Sequence, residues 1–349
     1  MFNVQCSMFK MFNVQCSMFK MFNHKLTYHP LMSLDNLAVK ALSVLLLSAA
    51  LTSCQKELCY DHNHGGRSAL HVNFDWSAYP EAEPTEMSLM VFAEGSQPVQ
   101  IPFKGKEGGD ISLAEGSYGL IGYNNDTELQ TRGRDWGDFE IYSQASELNT
   151  FSRMFASTRN IPRSRGTESQ PVIYEPDSLW TSALNDVTVS ETSWGQTVIM
   201  PMKTANTFFS FVIDNVDNLD LVTELAGTLS GMSGSWYPAT EMPSDDECII
   251  PFPLEKTGET SIGGYMNSFG HCPNPDAPHE HHLVGYVEMN NISKYYYSVD
   301  VTEKVHEVWN GGVIHIERLP LPLPVSGGGG FNPGIDEWNE VHIDIDLGE

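Results

Sequence analysis

Basic residues are scarce in this chain. Its 349 residues carry 19 Lys and Arg against 45 Asp and Glu, a formal net charge of −26. A field of that sign repels phosphate backbones and anionic headgroups, which excludes nucleic acid as a partner. Long apolar runs are missing too. Residues 41–51 (ALSVLLLSAAL) make a run of about 11, well short of the roughly 20 that a spanning helix needs. Catalytic signatures are absent. There is no H-E-x-x-H, no phosphate loop and no dinucleotide fingerprint. Gly231-Met-Ser-Gly-Ser235 lacks the second glycine of a nucleophile elbow. Asp214-Asn-Val-Asp-Asn-Leu-Asp220 lacks the glycine and closing glutamate of a calcium loop. The expectation is a protein that is not an enzyme and carries no cofactor.

What is present begins with compartment. The first 20 residues are MFNVQCSMFK twice, followed by MFN. A perfect tandem copy ahead of a signal peptide has no folding logic, so it reads as a spurious extension, with the start expected at Met21 or Met32. Lys40, the apolar run and then Leu51-Thr52-Ser53-Cys54 follow in the order of a lipoprotein signal, with Cys54 as the residue that takes lipid. Two or three acyl chains hold a protein firmly where one does not, at ~0.8 kcal/mol per buried CH2. Gln55 after that cysteine, in place of Asp, points to the outer membrane. The expected segments are therefore 1–53 (extension plus signal peptide) and 54–68 (lipidated tether). Removing 1–53 takes four Lys and one Asp and leaves a charge near −29.

Cysteine is sparse. Beyond Cys6 and Cys16 in the repeat there are Cys54, Cys59, Cys248 and Cys272. With Cys54 lipidated three remain, an odd number that cannot be a complete disulfide framework. Pairing of Cys248 with Cys272 stays open.

Strand patterning dominates the rest. Leu70, Val72, Phe74 and Trp76 alternate with His71, Asn73 and Asp75, and Val341, Ile343, Ile345 and Leu347 alternate with His342, Asp344 and Asp346. Met87, Leu89, Val91 and Ala93 do so less cleanly. Further strands are expected over 118–123, 139–142, 197–200, 207–213, 249–252, 283–289, 295–301 and 313–317, with turns at 106–109, 124–126 and 289–291. Helical signals are few, at 217–226 and 305–310. Many short strands near ten-residue spacing argue for antiparallel sandwiches. A boundary near 201–205 divides 69–203 from 204–349, and 144–180 reads as a long, mobile loop. Pro320, Pro322, Pro324 and Gly327 to Gly330 mark a linker before the last strand.

Three groups of residues stand out. His271, Cys272, His279, His281 and His282 supply imidazoles and a thiol suited to Zn or Cu. Their spacing matches no closed site, and an exposed hairpin loop is the simpler reading. Cys59-Tyr60-Asp61-His62-Asn63-His64 is a second such group, read as tether or packing. Asp177-Ser178-Leu179 fits a short O-glycosylation pattern, which would place the sugar on Ser178.

Several stretches carry a resemblance. Glu57-Leu-Cys-Tyr-Asp-His-Asn-His64 close behind the lipobox, then Val72-Asn-Phe-Asp-Trp-Ser77, resembles the opening of a Bacteroidetes lipoprotein family with no assigned role. Thr228-Leu-Ser-Gly-Met-Ser-Gly234, Ser298-Val-Asp-Val-Thr302 and Gly330-Phe-Asn-Pro-Gly-Ile-Asp-Glu-Trp338 resemble elements of fimbrillin-like proteins and fimbrial anchor subunits. The resemblance implies an all-β protein of two transthyretin-like antiparallel β-sandwich domains in series, and a place in or at the base of surface fimbriae. It also implies cleavage after an arginine, for which Arg67 is the candidate, and subunits joined by a donated strand.

The expectation is thus a lipid-anchored outer-membrane protein on the cell surface, acting as fimbrial anchor, accessory or adhesin subunit. Its partners would be the membrane, fimbrial subunits or a surface ligand on a host or bacterium, with residues 338–347 as the exchanged strand. The alternative is a surface module for glycan or another nutrient, using Trp136, Trp180, Trp194 and Trp236.

Overall fold

The computed structural model describes residues 67–155, 160–190, 195–271, 279–323 and 338–341, all within the unit Asn63–Glu349. The expected lipid site Cys54, the group 59–64, Cys272, Trp194 and residues 342–347 lie outside the described residues.

The chain is all-β, built from antiparallel sheets packed face to face. β1 (Arg67–Asp75) is the middle of a three-stranded sheet, between β4 (Gly108–Ala114), antiparallel, and β9 (Gln196–Pro201), parallel. Across from it β2 (Glu86–Ala93) and β5 (Gly116–Asn124) centre a five-stranded sheet. Its edges are β3 (Val99–Lys104) on one side, and β8 (Trp180–Val189) followed by the two-residue β10 (Lys203–Thr204) on the other. Leu70, Val72 and Phe74 of β1 meet Met87, Leu89 and Val91 of β2 in one core, which is why the sequence alternates there. β2 alternates poorly because its other face is buried as well. Met90 and Phe92 pack against Phe139 and Ile141, and a strand buried on both faces loses its period of two.

Ile141, with Phe139 just ahead of its strand, belongs to a small sheet that draws on both stretches, 69–203 and 204–349. It contains β6 (Gln130–Arg132) and β7 (Glu140–Tyr142) together with β13 (Ser235–Tyr237) and β14 (Met242–Pro243), in the order β14-β13-β7-β6.

The largest sheet has eight strands. They are β11 (Thr207–Ile213), β12 (Val222–Ser233), β15 (Glu247–Lys256), β16 (Ile262–Ser268), β17 (His282–Met289), β18 (Lys294–Asp300), β19 (Gly312–Ile316) and β20 (Trp338–Glu340), ordered β19-β11-β16-β15-β12-β17-β18-β20. β15 is its corner: Cys248 to Pro253 pair with β12, while Leu254 to Lys256 pair with β16. The sheet thereby folds into two layers around a single core, in which Phe211 of β11 stacks on Phe252 of β15 at 4.5 Å.

Three sequence expectations change. Residues 217–226 are not a helix: Leu219–Leu221 form one 3-10 turn and β12 starts at Val222. β12 is buried on both faces over most of its length and pairs on both sides, so sheet pairing outweighs local helical spacing. The turn at 106–109 is shorter, because Gly108 and Gly109 already pair with Asn73 and Val72. A side chain at Gly108, whose φ is +93°, would lie 2.3 Å from the Val72 carbonyl oxygen, so only glycine fits that approach. The stretch 144–180 is irregular as expected, but it is packed rather than loose. Phe155 meets Tyr286 edge-on at 5.0 Å, Tyr286 Oη donates to Pro162 O at 2.7 Å, and Leu148, Met154, Val172 and Ile173 are buried. Near 305–310, α2 (Thr302–Glu307) does form, after a single earlier turn α1 (Leu148–Phe151). No helix among the described residues is long and apolar enough to cross a membrane.

Candidate functional site: sheet edges and a histidine cluster

A strand at a sheet edge presents unpaired N–H and C=O groups, and its neighbours decide whether another chain can use them. β3 is such an edge, protected by Pro102 in its middle, which cannot donate. β19 is less protected. Val313 lies opposite Ser210 of β11, which lies opposite Tyr265 of β16, and Val313, Tyr265 and Phe208 of β11 are all more than half exposed. The opposite edge of the eight-stranded sheet would be β18, and the chain covers it with its own β20. That strand lies parallel to β18, with Trp338 opposite Lys294 and Glu340 opposite Tyr296. Val341 N donates to Tyr296 O at 2.8 Å and Asn339 Nδ2 to Lys294 O at 3.1 Å. Trp338 seats its ring 5.4 Å from Tyr286 and 5.8 Å from Phe155. Of the expected last strand, then, the first three residues form a strand, and the rest lies outside the described residues.

Arg67 is the first residue of β1, and its backbone pairs with Ala114 of β4. Ser178 is exposed just before β8, and its carbonyl accepts from Asn124 Nδ2 at 3.0 Å. Cys248 is buried and unbridged. Burial, with the charges of Asp246 and Glu247 adding to it, pushes its thiol far above the ordinary range. Of the four candidate tryptophans, the three described are half-buried: Trp136 against Phe92 at 5.8 Å, Trp180 against Trp76 at 5.8 Å, and Trp236 beside Phe139 and Ile141. Trp136 borders an open groove of ≈ 790 Å³ with Tyr118, Arg134 and Asp186.

The five metal candidates separate. His271 and His281 come together, while His279 faces Glu247 at 3.5 Å and His282 faces Glu280 at 3.6 Å. Their third neighbour is His306 on α2, which sequence reasoning passed over. The three ring centroids are 5.2, 5.0 and 5.2 Å apart, and one nitrogen from each lies within 4.8 Å of the others. Backbone geometry at the end of β12 builds this place. The strand bulges between Leu229 and Met232, and Gly231 takes φ +73°. A side chain at Gly231 would come within 2.9 Å of His281 Nδ1. The bulge aims the Ser230 carbonyl at His281 Nδ1, 3.1 Å away. A carbonyl only accepts, so Nδ1 carries the proton and Nε2 keeps its lone pair. His281 is fully buried, and its Nε2 has no hydrogen-bond partner among the described residues. Burial, helped by His271, His306 and His279 and opposed by the Ser230 hydrogen bond, holds its pKa down to about 3, so the ring is neutral.

Residues 53–253 match the family model described as a domain of unknown function, DUF5119, over more than half of the chain. The chain belongs to the DUF5119 family. No curated protein matches the sequence. Among solved structures, this DUF5119 protein is similar to one from Bacteroides ovatus ATCC 8483 whose own assignment as an adhesin is provisional. The identity is 15%, the TM-score 0.57, and the match covers 84% of this chain and 99% of that one. It also matches the fimbrial anchor protein Mfa2 from Porphyromonas gingivalis, at 11% identity and TM-score 0.43, over 72% of this chain and 90% of that one. At these identities the likeness is one of fold.

Proposed function

We propose that the protein is a non-enzymatic, lipid-anchored surface lipoprotein of the fimbrillin type, serving as an anchor, accessory or adhesin subunit that joins its partners by β-strand edge pairing. The lipobox ending in Cys54 supports the anchor, and the surplus of acidic residues suits a solvated, displayed domain. Its fold matches that of the B. ovatus protein over nearly the whole of that chain, and the provisional adhesin assignment there agrees with the reading.

The observation that carries the proposal is β20. It is a strand of three residues, remote in the chain from β19, laid parallel on an edge by a few backbone bonds and one tryptophan. An edge that accepts its own terminal strand has the backbone geometry to accept the same strand from another copy or another subunit. Residues 69–203 and 204–349 would then act as two domains in series, tied through the shared four-stranded sheet.

The test pairs intact mass and N-terminal mapping of protein from outer membranes with deletion of 331–349. Acylated Cys54 on an uncut chain fits an anchor whose exchange uses the C-terminal strand, whereas a chain starting at Ser68 fits a processed subunit. A truncated protein that folds yet keeps its partner sinks the edge-pairing reading. The alternative, a surface glycan-binding module, draws on the groove beside Trp136. Glycan binding abolished by Trp136→Ala and untouched by the deletion would favour it.

A further inference from the structure

We propose that His271, His281 and His306 form a binding site for a single divalent d-block cation of the zinc class. The three side chains come from separate elements: the segment leaving β16, the residue ahead of β17, and helix α2. Their nitrogens converge to within 4.8 Å of one another. Around a zinc ion at 2.0–2.1 Å, tetrahedral nitrogens stand about 3.3 Å apart, so closing the site needs inward movements on the order of 1 Å. Side-chain rotation supplies that at His271 and His306, which are only half-buried.

His281 is the independent pointer. Its ring is wholly buried and fixed by the Nδ1–H bond to Ser230 O, and its Nε2 lone pair meets no hydrogen-bond donor among the described residues. An imidazole that donates one nitrogen to a backbone carbonyl and offers the other is oriented as metal-bound histidines are. A buried acceptor left unmet is costly, and a cation meets it. Further bonds brace the arrangement. His281 N donates to Thr302 Oγ1 at 2.9 Å, Val301 N donates to His281 O at 2.8 Å, and His271 bridges to Met232 on β12. All-imidazole donor sets select Zn, Cu or Ni over Ca or Mg. With three protein ligands a fourth position stays open. The ion would pin α2 and the chain leaving β16 to the bulged end of β12, clamping one end of the sandwich.

The experiment uses the full-length protein, stripped with chelator and dialysed, then titrated with Zn²⁺ and separately with Co²⁺. One equivalent of Zn²⁺ per chain is expected, with the visible absorption of four-coordinate Co²⁺ and a raised Tm on loading. His306→Ala and His271→Ala should each weaken Zn²⁺ binding at least 100-fold. His315→Ala, an exposed histidine paired with Asp214 elsewhere, should leave it unchanged. His281→Gln risks unfolding, so His306→Ala on half-exposed α2 is the decisive variant, with circular dichroism confirming its fold. Absence of stoichiometric binding, or binding that survives His306→Ala in a folded chain, overturns the proposal.

Discussion

Gly285→Ala should destabilise this protein, although local propensity says the opposite. Phe252, Gly227, Gly285 and Tyr297 lie side by side across β15, β12, β17 and β18. The two glycines leave the floor on which the two rings lie. A methyl at Gly285 would sit 1.9 Å from Tyr297 Cζ, whereas carbon atoms ordinarily stop near 3.5–4.0 Å. The ring would have to retreat by about 1.5–2 Å into a core where Tyr297 is already fully buried. Overpacking of that kind costs about 1–3 kcal/mol or more. Replacing a strand glycine otherwise gains about 0.5–1 kcal/mol in backbone entropy. The overlap wins, and a net loss of about 2 kcal/mol is expected, read as a lower urea midpoint at unchanged m. In a Tyr297→Ala background the same substitution should become neutral or slightly stabilising, giving a coupling energy of about 2–3 kcal/mol. A single mutant as stable as the parent would refute the ring-over-glycine account.

Further outcomes follow from buried polar groups. Tyr297 Oη has no hydrogen-bond partner among the described residues, so Tyr297→Phe should hold or raise stability by about 1 kcal/mol in thermal melts, and a clear loss would reveal a hidden partner. Burial raises the Glu140 pKa, but the paired bonds from Arg132 at 2.5 and 2.8 Å, together with Ser235, outweigh it and bring the carboxyl below its ordinary value. The folded state therefore releases that proton more readily than the unfolded one. The stabilisation is present above about pH 4.3 and is lost as pH falls further. Arg132 is half-exposed, which limits the term to about 1 kcal/mol, and Glu140→Gln should flatten the acid limb of a stability–pH curve. Buried Cys248 should resist alkylation in the native protein and react only in denaturant, as followed by peptide mass; native labelling would mean that β15 opens.

Legibility in the sequence tracked burial on one face. Residues 207–213 were readable to the residue because Phe209, Phe211 and Ile213 point inward while Phe208 and its alternates face out. The start of β12 looks helical in the sequence because Val216, Leu219, Val222 and Leu225 fall at spacings of three. Those spacings arise from a 3-10 turn running into a strand covered on both sides. β4 and β16 went unread because their glycines, Gly108, Gly109, Gly263 and Gly264, look like turn signals. In the sheets they are where another chain segment passes close, as Val72 O does at Gly108 and Pro253 O at Gly264.

The histidine site shows a different limit. His271 and His281 share one proline-rich stretch, so ligand chemistry was visible there, but spacing could not tell which imidazoles converge. His279 and His282 each turn to a glutamate, and the third member, His306, arrives from a helix 25 residues beyond His281. What brings it in is the bulge at Ser230–Gly231, on a strand some 50 residues earlier, which fixes His281 and leaves its free nitrogen facing α2. Gly231 therefore shapes the site without supplying a ligand. Gly231→Ala would press a methyl to 2.4 Å from the Glu280 carbonyl oxygen and 2.9 Å from His281 Nδ1, at a backbone angle that disfavours it. If the site binds zinc, this variant should weaken that binding with all three imidazoles still present, as isothermal titration would measure. Unchanged affinity in a folded Gly231→Ala protein would mean that the bulge does not set the geometry of the cluster.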